Sequence, residues 1–226
     1  MSDNNNFESA VPLGPGGESL APTDPQRRRF LTAAATVVGT LGVAAAAVPF
    51  IESMEPSARS RAGGAPVTID IGGLEPGQML SARWRQKPVW VLRRTKDQLV
   101  ELPKLNDRLK DPMSKEPQQP PNLPHWNPVQ RSIKPEYLLL VGICTHLGCI
   151  PKYRPQPGAS DLGASWPGGF FCPCHGSRYD LSGRVMDGSP APLNLPVIPH
   201  FYRKGNVIVA GELEDGSESN WSPNTW

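Results

Sequence analysis

Two short stretches hold every cysteine of this 226-residue chain: Cys-Thr-His-Leu-Gly-Cys at 144–149 and Cys-Pro-Cys-His-Gly-Ser-Arg-Tyr at 172–179. They also hold two of its four histidines, His146 and His175, each within three residues of a cysteine. Thiolates and imidazoles together suit zinc or iron, and cysteines alone can close disulfides in an exported domain. Three chemistries compete for the set. Two disulfides leave both histidines without a use. A structural zinc site takes four of six candidate ligands and leaves two thiols idle in an oxidising compartment. A mixed arrangement, in which some residues hold a metal cluster and others close a bridge, uses all six. The residues by themselves leave the three open.

The order C-T-H-L-G-C followed by C-P-C-H-G-S-x-Y resembles the paired box of Rieske iron–sulfur proteins. The longer likeness is to Rieske subunits of quinol–cytochrome c reductase (cytochrome bc) complexes. It takes in the apolar segment and linker near the N-terminus, "WRQKPVWVLRRT" at 84–95, both boxes and "GSPAP" at 188–192, most of residues 27–226. Carried over by position, the resemblance implies one [2Fe-2S] cluster, with Cys144 and Cys172 on one iron and His146 and His175 on the other. It implies a disulfide between Cys149 and Cys174 that clips the two loops together. Ser177 and Tyr179 fall where the family donates hydrogen bonds to a bridging sulfur and a ligand sulfur. Leu147 falls where an apolar residue shields the cluster beside the quinol site, although it could equally be packed, and the loop at Pro190, Ala191 and Pro192 would cover the other side. Two neutral imidazoles in place of two thiolates reduce the negative charge on the irons, and donors to sulfur favour the reduced state; both raise the potential. Imidazole nitrogens facing away from iron can titrate, which couples electron uptake to proton uptake.

Such a chain is expected to be the electron-transfer subunit of a quinol–cytochrome c oxidoreductase. His175, with His146 beside it, would hydrogen-bond quinol and take its proton, and the electron would pass to a c-type cytochrome subunit. The expected partners are a cytochrome b subunit, that c-type cytochrome, quinol and the lipid bilayer, in a dimeric complex. One alternative is the small Rieske subunit of a periplasmic oxidase of the arsenite oxidase type, which shares the disulfide and an export signal. A Rieske ferredoxin is a weaker one, because such carriers usually lack the inner cysteine pair and need no span. Both boxes with the inner cysteines and Ser-x-Tyr count against zinc. His125 and His200 lie outside the boxes and read as surface or packing residues, and Trp84, Trp90 and Trp166 as core or loop anchors.

These loops need a scaffold and an anchor. Residues 1–26 are polar, with glycine and proline and no apolar period, and read as a disordered cytoplasmic tail. Residues 31–50 carry no charge, and 20 residues make a helix of about 30 Å, enough to cross a bilayer core. Arg27, Arg28 and Arg29 precede it and resemble a twin-arginine export signal. Residues 27–50 are therefore expected to be a signal and single-pass anchor in a bacterial inner membrane, N-terminus cytoplasmic and head periplasmic. Ala44, Ala45 and Ala46 leave a cleavage site open, but the apolar run is long for a cleaved signal. Residues 51–65, with Gly63 and Gly64, read as a flexible hinge linker.

Residues 66–226 are expected to form a mainly antiparallel β domain, with cluster loops inserted over about 143–192. Strands are predicted at 67–71, at 79–85 and 88–94 joined through Gln86 and Lys87, at 137–143, and as a hairpin about Gly205 and Asn206. Thr95 is predicted to cap one helical turn. The proline-rich stretch 103–135 has no apolar period and is expected to be a long surface excursion. With 23 basic and 21 acidic residues, a net charge of +2 gives no field for nucleic acid.

Overall fold

The computed structural model describes residues 24–55, 57 and 64–222. The expected disordered tail lies outside them up to residue 23, as does most of the expected hinge, residues 56 and 58–63. Two units are present, a helix within the first 56 residues and a β head from Ser57 onward.

Helix α1 runs Pro25–Ser53, longer than the uncharged stretch at both ends. Asp24 caps it, its carboxylate accepting the Gln26 N–H at 2.9 Å, and Pro25 occupies the first helical position, where no amide proton is needed. At roughly 1.5 Å per residue it is about 43 Å long. None of its side chains is buried, and Val37, Val38, Leu41, Val43 and Phe50 are all exposed. Its length and apolar composition are those of a membrane span or an export signal. The hydroxyls of Thr32, Thr36 and Thr40 donate to the carbonyls of Arg28, Thr32 and Thr36 at 2.7–2.8 Å, so the helix satisfies its own polar side chains within the apolar run.

The head contains three three-stranded antiparallel sheets. β1 (Val67–Asp70) pairs with β9 (Val207–Ala210), which pairs with β8 (His200–Arg203). The second sheet orders β2 (Met79–Trp84), β3 (Lys87–Arg93) and β4 (Tyr137–Val141). The third joins β5 (Lys152–Arg154), β6 (Gly169–Phe171) and β7 (Arg178–Tyr179). The β2–β3 turn falls one residue earlier than expected. Lys87 pairs with Trp84, and the turn residues are Arg85 and Gln86, with φ of 47° and 62°. Two left-handed residues match the twist of a two-residue hairpin. Arg85 is held there by stacking 4.3 Å over the Trp84 ring and by donating to the carbonyls of Ser219 and Trp221.

β3 and β4 form the wall on which both halves of the head are built. Val89, Val91, Leu139 and Val141 join a core with Ile69, Ile71, Ile208 and Ala210. The alternate residues Trp90, Leu92, Leu138 and Leu140 join a second core with Phe170, Tyr179, Val185, Leu195, Cys144 and Cys172. Strands buried on both faces read as continuous apolar runs, as "VWVL" and "LLLV" do.

α2 (Lys96–Glu101) starts on a capping box between Thr95 and Gln98, as expected, and continues into a 3-10 helix, Leu102–Arg108. The stretch 103–135 forms no strand, as expected, and much of it is exposed, but it is pinned into the head by buried residues and is not a surface excursion throughout. Leu105, Leu109, Leu123, Ser114, Gln118, Arg131 and Ser132 are buried. Arg131 donates to the Leu195 carbonyl at 2.7 Å, and Arg94 donates to the carbonyls of Gln130 and Pro135 and the hydroxyls of Ser132 and Ser182. Buried guanidinium groups gather carbonyls that no ladder serves, so this stretch packs by hydrogen bonds and needs no apolar period. Burial lowers Arg94 to about 10 and Arg131 to about 9. Asp180 pairs with Arg184 at 2.8 Å with both side chains fully buried, and removing one partner of such a pair costs about 3–5 kcal/mol.

Candidate metal centre

The two boxes fold into the same loop. In the first, the Cys144 N–H donates to the Cys149 carbonyl at 2.7 Å and the Gly148 N–H returns to the Cys144 carbonyl at 3.0 Å. In the second, the Cys172 N–H donates to the Ser177 carbonyl at 2.8 Å and the Gly176 N–H returns to the Cys172 carbonyl at 3.0 Å. Gly148 and Gly176, the fifth residue of each loop, have φ of 80° and 79°, which glycine adopts without steric cost. Gly142, just before the first box, lies so close to the Trp90 ring that a Cβ would overlap it. That contact ties the box to the wall strand.

The first residue of each loop is a free, buried cysteine: Cys144 is 2% exposed and Cys172 1%. Farther out, His146 is half-buried and His175 exposed, with ring centroids 4.8 Å apart and planes at 88°. Cys149 and Cys174 are joined in a disulfide across the loops. The sulfurs of Cys149, Cys172 and Cys174 lie within 4.8 Å of one another, but two of the three are spent in that bond, so the trio offers one thiolate. What remains for a metal is two thiols on the buried side and two imidazoles on the solvent side. Two thiols and two imidazoles fit a two-iron, two-sulfide cluster with the thiolates on one iron and the imidazoles on the other; the same donor types also serve zinc, and the family reported below decides for the cluster. Burial pushes the Cys172 thiol up, so metal binding has to displace its proton.

Around the thiols the polar groups are arranged as donors. The Tyr179 hydroxyl, on β7, lies 3.2 Å from Cys144 Sγ and receives the Thr145 N–H at 3.2 Å. Thr145 Oγ1, also 3.2 Å from that hydroxyl, donates its own proton to the Leu193 carbonyl at 2.6 Å. The single proton of Tyr179 is then available to the sulfur. Burial raises the phenol above its ordinary pKa and keeps that proton in place. Ser177, fully buried, accepts the Ala191 N–H at 3.1 Å and retains its hydroxyl proton. Leu147 is 70% exposed beside Ile150 at 59%, so it is not a packed core residue.

The other candidates stand apart. His125 is exposed; His200 is fully buried, with Nδ1 against the Ile198 carbonyl at 2.8 Å and its pKa lowered to about 4 by burial. Trp84, Trp90 and Trp166 are core residues, Trp90 stacking on Phe170 at 5.3 Å and Trp166 donating to the Arg154 carbonyl. Sequence reasoning did not reach Thr145, although a residue between Cys144 and His146 is well placed to tie a loop.

A family model described as "Ubiquitinol-cytochrome C reductase Fe-S subunit TAT signal" matches residues 20–57, and the Rieske [2Fe-2S] domain model matches residues 113–199. The chain is 55% identical over 186 residues to the ubiquinol-cytochrome c reductase iron-sulfur subunit of Allochromatium vinosum, covering 82% of this chain and 88% of that one. It is 41% identical over 188 residues to the subunit of the same description from Bradyrhizobium diazoefficiens, covering 83% and 95%. A chain of a hyperthermophilic respiratory Complex III is similar at 26% identity and a TM-score of 0.43, covering 79% of this chain and 99% of that one. Identity this high over most of both chains places the chain in the family of ubiquinol–cytochrome c reductase iron–sulfur subunits, Rieske proteins that carry one [2Fe-2S] cluster.

Proposed function

We propose that Cys144 and Cys172 hold one iron of the cluster and His146 and His175 the other, and that the head thereby serves as the electron-transfer subunit of a quinol–cytochrome c oxidoreductase. The observation that carries this assignment is the pair of free buried thiols behind two imidazoles set edge to face at 4.8 Å, under one interloop disulfide. When bound, the cluster supplies one-electron redox chemistry. The chain's residues do the rest. His175, the more exposed imidazole, presents a ring nitrogen to the quinol hydroxyl and accepts its proton, with His146 beside it. Exposed Leu147 and Ile150 supply an apolar rim that excludes water when the head docks. Tyr179 and Ser177 hold protons toward sulfur and favour the reduced state.

Quinol is presented by a cytochrome b subunit and the electron leaves to a c-type cytochrome subunit, in a dimeric complex. α1 is retained as a single span of a bacterial inner membrane, with Arg27, Arg28 and Arg29 keeping the N-terminus cytoplasmic and the head periplasmic. Residues 51–65 beyond and at the end of α1 serve as the hinge between anchor and head. Replacing Cys144, His146, Cys172 or His175 by Ala is expected to abolish the Rieske-type electron paramagnetic resonance signal in membranes, because each iron loses a protein ligand. A signal of normal intensity in Cys172→Ala would overturn the ligand assignment. Intact mass of the mature chain reads directly whether residues 27–50 remain.

A further inference from the structure

Pro190 and Pro192 carry no amide proton, so the loop at 188–192 has few donors of its own and joins no ladder. Its hydrogen bonds to the second box come from Ala191 and Ser189. The Ala191 N–H donates to Ser177 Oγ at 3.1 Å, Ser189 Oγ accepts the Arg178 N–H at 3.0 Å, and the Ser189 hydroxyl also donates to the Arg178 carbonyl at 3.3 Å. The loop's carbonyls are gripped from a distant part of the chain. Lys110 Nζ donates to the Ser189 carbonyl at 2.6 Å and to the Ala191 carbonyl at 3.0 Å. Both carbonyls belong to amides that precede a proline. Lys110 in turn is fixed through its backbone: its N–H donates to the Val185 carbonyl at 3.1 Å, Leu109 pairs with Met186, and the Arg108 carbonyl accepts the Asp187 N–H at 2.8 Å. The ammonium thus spans from a fixed strand pairing to the loop that restrains Ser177. It does so from outside the stretch that matches the Rieske domain model, which begins at residue 113.

We propose that Lys110 is a positioning residue for Ser177. By holding the carbonyls on either side of Pro190, it keeps the Ala191 amide against Ser177 Oγ. An oxygen occupied as acceptor in a fully buried site has one rotamer and one proton left, and that proton is free for a cluster sulfur. Without the ammonium, the Ala191 side of the loop keeps no side-chain grip on its carbonyl, the amide drifts from Ser177, and the hydroxyl gains other directions in which to donate. The inference rests on the reading of Ser177 as a donor to the cluster given above.

The test is a redox titration, followed by electron paramagnetic resonance, of the assembled complex in membranes carrying Lys110→Met, Lys110→Arg, Lys110→Gln, Ser177→Ala, or Lys110→Met with Ser177→Ala. Met keeps the stem and loses the donors; Arg keeps charge and donors; Gln can reach one carbonyl. The expected result is a lower midpoint in Lys110→Met, no larger than the shift of Ser177→Ala, a smaller shift in Lys110→Gln, and a near wild-type value in Lys110→Arg. The double variant is expected to match Ser177→Ala alone, because a residue that acts through Ser177 has nothing to act on once the hydroxyl is gone. A merely structural lysine would reduce cluster content and thermal stability while the remaining cluster kept its potential; that result overturns the proposal. Additive shifts in the double variant overturn it as well. A shift in Ser177→Ala with none in Lys110→Met sinks the role of Lys110 alone, whereas an unchanged potential in Ser177→Ala sinks the reading of Ser177 and this inference with it.

Discussion

Tyr179→Phe removes one oxygen from the site and leaves the ring that packs in the core beside Phe170 and Leu138. Its hydroxyl receives the Thr145 N–H, and Thr145 Oγ1 gives its own proton to Leu193, which leaves two acceptors for the phenol, Thr145 Oγ1 and Cys144 Sγ, each at 3.2 Å. A thiolate at Cys144 is the charged one of the two and draws the proton more strongly. A hydrogen bond to a charged acceptor is worth about 1.5–3 kcal/mol. The part that matters for potential is the strengthening when an electron adds negative charge to the sulfur side, about 1–2 kcal/mol of that range. At 59 mV per roughly 1.4 kcal/mol for one electron, the midpoint should fall by about 40–85 mV. Stability should fall less than a core deletion would cause, with the Thr145 N–H as the group left unpaired. The assay is a redox titration of membranes monitored by electron paramagnetic resonance, with cluster content measured from the same signal. A midpoint within error of wild type, with the cluster fully retained, would refute the claim that this contact tunes the centre.

Two further outcomes are expected. Cys149→Ser or Cys174→Ser removes a bridge with a sequence separation of 25, worth up to about 3.5 kcal/mol by loop-closure entropy, and should lower cluster retention and potential while some cluster remains. Equal stability and potential in either variant would show that the bridge does nothing for the centre. His200 is fully buried, its pKa lowered to about 4 against an ordinary 6.5, because a charged imidazole there would lose hydration and Nε2 has no partner. The folded state therefore favours the neutral ring: the contribution is complete above pH 6.5 and is lost as pH falls from 6.5 toward 4, about 3 kcal/mol in all. Denaturant unfolding of wild type and His200→Phe across that window should show a steeper loss for wild type, and parallel curves would mean that His200 is not the group responsible.

The sequence made the wall strands visible because "VWVL" and "LLLV" are short apolar runs bounded by turns, and a strand buried on both faces looks like that. It made the two cysteine–histidine boxes visible because those residues are scarce and clustered. It hid what is held by hydrogen bonds. β5, β6 and β7 are two or three residues each, too short for any alternation to register, and they exist because they pair with one another beside the boxes. The stretch 103–135 looked like a loop because its buried groups include Arg131, Ser132, Gln118 and Ser114, residues usually assigned to solvent. The hairpin turn was displaced by one residue because Arg85 tolerates a left-handed backbone only through contacts with Trp84 and the carbonyls of Ser219 and Trp221, far away in sequence. Thr145 and Lys110 carried no pattern at all: a hydroxyl or ammonium that meets a carbonyl leaves no periodicity to read.

The shared hydrogen-bond skeleton of the two boxes explains why the centre is lopsided toward solvent. Each loop leaves its strand and places a cysteine at its first position, close to the wall, where Cys144 and Cys172 are almost fully buried. Each then reaches its histidine later, at the third position in one loop and the fourth in the other, ahead of the left-handed glycine at the fifth position that turns the chain back. The sixth position closes both loops through its carbonyl but carries different side chains, Cys149 to bind the partner loop and Ser177 to face the proline loop. One backbone frame, used twice, thus puts thiols inside and imidazoles outside without any further device. On the proposed ligand assignment, a donor or acceptor that approaches the tip meets an imidazole before it meets a thiolate, and the order of residues along each loop would then link electron transfer to proton transfer.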